Sequence, residues 1–362
     1  MTPPTRVAWL DLARAVSIVL VVMYHVGVGA NTELLGGPDR SAARWWSEAN
    51  LALVPLRMPL FFAISGVLAA GALHRPWSRV LRPRILDLLW PYLLWSMIFA
   101  ITGFPRYAPD DPGGFVLEEL RGLLMIASPY WFIAALPIFF LLTRLSRSRP
   151  RLAVALALVA YAVSPFLEEA MRGRQLHPDL IYGVWKLTDN LLWYTLGYAA
   201  RAWILRLGER ARLGPGLLLA AVFALLALTV LRADLPLGAL RALELGASVS
   251  GLLACVLIFP LLTRRRSLAR AGEHLGSRTL VIYLVHPVVI NVLVLLWRDG
   301  EIESGAAALA RDVLMVPAAA ALAVAVALLL DAVVTRFGPR WLFSAPSGHE
   351  MHNTMQARRS SS

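Results

Sequence analysis

Long apolar runs alternate along this chain with short polar ones, and the spacing sets the architecture. Runs able to span a bilayer recur at 8–28, 52–73, 85–103, 129–145, 152–167, 182–200, 215–232, 244–263, 279–297 and 307–334. Each approaches the roughly 20 residues that a helix needs to cross the hydrocarbon core. The pattern predicts an all-α, polytopic membrane bundle of about ten transmembrane helices over residues 1–335. The remainder, 336–362, is rich in Ser, Arg and Gly and lacks apolar periodicity, so a disordered tail is expected there. Turns such as 213–216 and 346–348 punctuate the segments without marking a separate soluble domain.

Charge assigns an orientation to these segments. Arg75, Arg79, Arg82 and Arg84 fall in the second loop, Arg144, Arg147, Arg149 and Arg151 in the fourth, Arg201, Arg206, Arg210 and Arg212 in the sixth, and Arg264, Arg265, Arg266, Arg270 and Arg278 in the eighth. Acidic residues concentrate in the odd-numbered loops: Asp110, Asp111, Glu118 and Glu119, then Glu168, Glu169 and Asp179, then Asp299, Glu301 and Glu303. Lys and Arg in short loops favour the cytoplasmic side, so both termini are expected in the cytoplasm. The same arrangement explains the net charge of +12, which therefore gives no support to nucleic-acid binding. With 58% hydrophobic residues and a mean hydropathy of +0.63, the composition is that of a multi-pass membrane protein. The first run contains Asp11, Arg14 and His25 and reads as a retained span rather than a secretory signal. Cys255 is the only cysteine, which excludes an intramolecular disulfide and thiolate metal clusters.

Within that first run, Arg14 and His25 stand eleven residues apart. At about 100° per residue they fall within roughly 20° of each other and about 16 Å apart along a helix. Ionisable groups inside a membrane are costly and normally face protein or water, so a shared stripe suggests a polar path leading inward. The plainer alternative has Arg14 snorkelling to headgroups and His25 capping the far end.

The order of several blocks adds a family to this reading. LDLARAVSIVLVVMYH (10–25) is followed by MPLFFAISGVLAAG (58–71), RILDLLWPYLLW (84–95), PYWFIAALPIFFLL (129–142), LLWYTLGYAAR (191–201) and SRTLVIYLVHPVVI (277–290). Taken together they resemble the acyltransferase family 3 integral-membrane acyltransferases. The most specific matches are Leu10, Asp11, Arg14 and His25, then Phe61, Phe62, Ile64, Ser65 and Gly66. The resemblance implies a bacterial plasma-membrane enzyme that takes an acyl group, by default acetyl, from cytoplasmic acyl-CoA and places it on a hydroxyl of a glycan, lipid or related acceptor. It carries the family's first-helix arginine and histidine onto Arg14 and His25. Helix geometry suits those roles, since the phosphopantetheine arm of coenzyme A is of the same order of length as the stripe. Arg14 would hold phosphate, and a neutral His25 would offer its lone pair as general base. Asp11, one turn before Arg14, can orient the guanidinium or simply face headgroups.

Arg79, Arg82 and Arg84 are further candidates for the phosphates of coenzyme A, through bidentate guanidinium contacts. The family's usual Arg-x-x-Arg ahead of a Pro-Tyr pair would place its second arginine where Asp87 stands, before Pro91 and Tyr92. Ser65, Tyr283 and His286 are candidate substrate contacts, with close helix packing for Ser65 and an interhelical hydrogen bond for His286 as structural alternatives. Lys186 and Asp189, three residues apart, are expected to pair, and Asp331 to be an interfacial charge near Arg336. Walker A, dinucleotide-binding and zinc-protease motifs are absent and no metal is implied. The rival class is a transporter or flippase, which also places polar residues inside spans. Release of free coenzyme A by purified protein separates the two.

Overall fold

The computed structural model describes residues 7–36, 41–297 and 306–346. Among them the chain is helical and contains no strand. Each predicted apolar run falls on a helix: α1 (Ala8–Gly27), α2 (Val54–Ala69), α3 (Asp87–Tyr107), α4 (Trp131–Leu145), α5 (Pro150–Gly173), α6 (Pro178–Ala199), α7 (Leu213–Arg232), α8 (Leu237–Leu262), α9 (Thr279–Trp297) and α10 (Ala306–Phe337). The expected count of ten is not confirmed. Among the described residues, length and apolarity alone qualify seven helices to cross a membrane, and an eighth if Ser41–Ala52 and α2, bent by 41°, form one broken span. The difference lies in α4, only 15 residues long, and α6, which carries Asp179, Lys186 and Asp189. Both bury much of their surface against other helices, which spares them from needing a long, uniformly apolar exterior.

α1 is the central element. It packs against α2, α8, α9 and α10, and a short helix, Arg266–Gly276, lies along it. Gly272 and Gly276 bring that helix onto the backbone of Leu12 and Asp11, so close that a β-carbon at either glycine would overlap α1. α2 and α6 meet in the same way. A β-carbon on Gly66 would collide with the Tyr194 carbonyl, and one on Gly197 with the Ala63 carbonyl. Small residues at such crossings allow the backbones to approach where lipid supplies no hydrophobic drive between helices. Beside this crossing, Phe61 and Phe62 pack on Phe132 at centroid distances of 4.5 and 4.6 Å, and Phe62 on Phe139 at 5.1 Å. Leu217, Leu218, Leu225 and Leu228 of α7 face outward, as a lipid-exposed helix requires.

Arginines close the loops. Arg144, buried at the end of α4, donates to the carbonyls of Leu73 at 3.0 Å and Arg75 at 2.7 Å, and lies 4.2 Å from the Trp77 ring centroid. It therefore ties off the turn after α2.

The segment after α10, the start of the tail expected to be disordered, makes specific contacts as far as it is described. Residues Arg340–Leu342 form a short 3₁₀ turn that docks on α3. Trp90 and Trp95 donate through Nε1 to the carbonyls of Trp341 at 2.6 Å and Leu342 at 2.8 Å, and Phe343 stacks on Trp95. The Asp87 carboxylate accepts from the Ala345 amide at 3.1 Å, and Arg82 donates to the Ala345 carbonyl at 2.5 Å. Residues 347–362 lie outside the described residues.

Two outcomes follow from this packing. Gly66→Ala should lower thermal stability in detergent by several degrees, because the Tyr194 carbonyl cannot move without parting α2 from α6. Ending the chain after Phe337 should lower it as well by removing the contacts on Trp90, Trp95 and Asp87, whereas ending it after Pro346 should keep them. Melting followed by size-exclusion chromatography checks both.

Candidate active site

Cavities approach the Arg14–His25 stripe from both ends. The first, of about 350 Å³, is lined in part by Arg14, Ser65, Arg84, Phe132, Tyr194 and Tyr283. Arg14 donates from Nη2 to Thr279 Oγ1 at 2.9 Å, with the Asp11 carboxylate 4.0 Å from Nη1. Its guanidinium thus engages α9 across the helix interface. Arg84 joins it from one wide π-type turn at Arg82–Leu86, ahead of α3. Such turns change the facing of the residues they carry and recur at functional sites. Arg82 instead holds Ala345 and lies 3.7 Å from Asp87, and neither it nor Arg79 lines this cavity. Ser65 lines the cavity while its hydroxyl donates to the Phe61 carbonyl one turn earlier, at 2.8 Å.

The second cavity, about 420 Å³, contains His25 together with Arg57, Trp131, Tyr182, Lys186 and Asn190, and Tyr283 lines both it and the first. A third, about 450 Å³, reaches His25 alongside Arg106, Glu119 and Asn291. The Tyr283 hydroxyl is committed, donating to the Pro129 carbonyl at 2.9 Å and accepting from the Phe132 amide at 3.2 Å. It fixes α9 against the start of α4 and leaves the ring as a wall between the cavities.

His25 lies 5.0 Å, ring centroid to centroid, from His286 and 5.5 Å from Tyr24. His286 is fully buried, and its Nδ1 donates to the Ile282 carbonyl at 3.0 Å. That bond stays within α9, in place of the interhelical one expected from sequence. It leaves Nε2 as an acceptor, and this atom has no partner among the described residues. The same holds for Arg57 Nη1, Asn190 Oδ1 and Asn291 Nδ2, all on residues lining the cavities that contain His25. Buried polar atoms are normally satisfied, so their gathering around one histidine marks a place for a polar ligand.

The expected Lys186–Asp189 pair does not form. Asp189 is taken by Arg241 of α8, which also bonds Glu244 at 2.9 Å and the Tyr161 carbonyl at 2.8 Å. Lys186 sits among rings, its Nζ 4.0 Å from the Trp185 centroid, 4.9 Å from Tyr182 and 5.1 Å from Trp131. A planar guanidinium arriving from another helix binds the carboxylate more fully than an ammonium three residues away. Asp331 pairs with Arg278, at 2.9 Å.

Arg106 fixes the far end of α1. It donates to the Gly29 carbonyl at 2.6 Å, the Glu33 carboxylate at 2.8 Å and Asn291 Oδ1 at 2.9 Å. Burial raises the carboxyl of Glu119, on the Pro112–Leu124 helix, to about 7, helped by the nearby charges of Asp179 and Glu118. Among the described residues no group of three or more His, Cys, Asp or Glu is placed to hold a metal. Sequence reasoning missed Arg57, Asn190 and Asn291, yet each lies inside a predicted span. The criterion that singled out Arg14, a polar group within an apolar run, applied equally to them.

The fold and the site together define a multi-pass membrane protein with a histidine-centred polar interior. Residues 7–332 match the acyltransferase domain model Acyl_transf_3, and the chain belongs to this family of membrane acyltransferases. It is 26% identical over 306 residues to the inner membrane protein YcfT of Escherichia coli strain K12, covering 78% of this chain and 80% of that protein. Nodulation protein NolL of Mesorhizobium japonicum is 30% identical over 173 residues, 44% of this chain and 43% of its own. NolL of Sinorhizobium fredii is 31% identical over 142 residues, 37% and 35% of the two chains. No solved structure matches the chain.

Glu119 gives a pH dependence with a defined sign. Its carboxyl is raised in the fold, so the neutral form is favoured and stability falls as pH climbs from the ordinary carboxyl range through about 7. The protein should melt at a lower temperature at pH 8 than at pH 6, and Glu119→Gln should shrink that difference. Melting curves across this range are the check.

Proposed function

We propose that this acyltransferase moves an acyl group, by default acetyl, from acyl-CoA to a hydroxyl of a glycan, lipid or related acceptor in the bacterial plasma membrane. The observation that carries the reading is the Tyr283 wall, with Arg14 and Arg84 in the cavity on one side and His25 in the cavity on the other. By the charge of its loops the Arg84 end would face the cytoplasm, and with Ser41–Ala52 and α2 as one broken span both chain termini would lie on that side. There the two guanidiniums would hold phosphate groups of coenzyme A, and the pantetheine arm would run along the first cavity toward Tyr283.

The chemistry needs one base and two proton movements. His25 takes the proton of the acceptor hydroxyl as that oxygen attacks the thioester carbonyl carbon. The carbon–sulfur bond then breaks, and the departing thiolate takes the proton back from the imidazolium, so no net charge accumulates. His286 Nε2, with its lone pair uncommitted, is suited to receive the other N–H of His25 and fix the productive tautomer. Asp11 positions Arg14 at the donor end.

Purified protein should release coenzyme A from acetyl-CoA when an envelope glycan or lipid fraction is supplied. His25→Ala should reduce that rate by at least ~10²–10⁴-fold while the protein still folds and inserts. Arg14→Lys, which keeps charge but loses the planar fork, should raise KM for acetyl-CoA more than it lowers kcat. Near-normal turnover without His25 removes it as base, and unchanged KM removes Arg14 from the donor site.

A further inference from the structure

We propose that the cavity beside His25 selects an acceptor bearing an oxyanion, a carboxylate or a phosphate, which Arg57 and Lys186 bind together. The proposal rests on the acyltransferase reading above and names the class of its acceptor.

Arg57 lies in α2 and is only 5% exposed. Its guanidinium carbon stands 3.8 Å from the centroid of Tyr24, the neighbour of His25, and Nη1 is buried with no partner among the described residues. Lys186, on α6, approaches the same cavity through its aromatic cage. Neither cation has a carboxylate within 4.0 Å among the described residues. Acids do line the cavity, but each is engaged elsewhere. Glu168 is bound by Arg172 at 2.8 Å, Asp189 by Arg241, and Glu244 by Arg241 at 2.9 Å. Arg241 serves two of these carboxylates, so with Arg172 four cations face three acids, and a surplus of one positive charge remains with Arg57 and Lys186 in the cavity that His25 lines.

A buried cation costs several kcal/mol unless it is paired and hydrogen-bonded. Aromatic faces offset part of that cost but accept no hydrogen bond from Nη1 in the plane of the guanidinium. A neutral sugar hydroxyl would satisfy one donor and leave the surplus charge unmatched. An oxyanion matches the charges and offers several lone pairs, and Asn190 Oδ1, in the same cavity, can accept a hydroxyl of the same molecule. Held in this way, the acceptor would present a neighbouring hydroxyl to His25. The volume, about 420 Å³, lies in the range of small-ligand pockets.

Binding to the purified full-length protein tests this without acyl-CoA, using glucuronate, inorganic phosphate and glucose as probes, measured by calorimetry. Glucuronate or phosphate should bind at least tenfold more tightly than glucose, and which of the two is preferred identifies carboxylate or phosphate as the source. Lys186→Gln and Arg57→Gln should each weaken the anion by tenfold or more, while Arg57→Lys, offered in case the glutamine variant does not fold, should weaken it less. Arg14→Gln and Arg84→Gln report on the donor cavity, where inorganic phosphate can bind as well, and should leave the affinity for glucuronate unchanged. Glucose binding as tightly as the anions, a folded Lys186→Gln variant with unchanged affinity, or loss that follows Arg84 instead would each overturn the proposal. Because coenzyme A release is measured separately, a protein that turns over acetyl-CoA yet shows no anion preference refutes the acceptor class alone. One that binds the anion but never releases coenzyme A refutes the transferase chemistry.

Discussion

In a hydrocarbon interior a polar atom can be satisfied only by other protein atoms or by a bound molecule, and this bundle depends on how that requirement is met. Across most of the chain arginines meet it. Arg144 binds the turn after α2, Arg106 gathers the end of α1 with Glu33 and Asn291, and Arg241 binds Asp189, Glu244 and a carbonyl of α5. Each gathers several acceptors onto one planar fork, so each ties together segments that apolar contacts leave free to slide. Around His25 the rule is suspended. His286 Nε2, Arg57 Nη1, Asn190 Oδ1 and Asn291 Nδ2 are buried there without partners among the described residues. Of the six such atoms among the described residues, the other two being Tyr130 Oη and Thr143 Oγ1, four belong to this neighbourhood, which is where the proposed substrate would bind.

The helices themselves are legible in the sequence because the bilayer imposes length and apolarity on each one separately. Every predicted run falls on a helix, and the Arg14–His25 stripe follows from helical geometry. Partnerships between helices are less legible. The spacing of Lys186 and Asp189 describes one helix, whereas the carboxylate is claimed by Arg241 from another. Arg84 reaches the cavity that Arg14 lines while Arg82 does not, because a single π-type turn resets their facing, and no periodicity in the sequence announces it. The docked stretch up to Pro346 was hidden for a similar reason. Its contacts are backbone carbonyls offered to Trp90, Trp95 and Arg82, and composition does not register backbone acceptors. Asp87, which departs from the family's arginine, serves as the acceptor for the Ala345 amide in that dock.

The proposed transfer divides labour along one helix. α1 carries the donor-side arginine near its start and the base near its end, and Tyr283, pinned at its hydroxyl by Pro129 and Phe132, stands between the cavities they occupy. In this proposal the thioester would pass that ring to meet the acceptor, while the nucleotide would stay with Arg14 and Arg84. Donor and acceptor would then enter from opposite faces, and only the acyl group would travel the full path.

Vesicles of defined orientation test that division most directly. Inside-out and right-side-out membrane vesicles from cells making the protein would be given acetyl-CoA labelled in the acetyl group, added outside only, and acid-stable label in the envelope fraction would be counted. The account predicts label transfer in inside-out vesicles, where the Arg84 face meets the donor, and its loss in the His25→Ala variant. Equal transfer in intact right-side-out vesicles would contradict it.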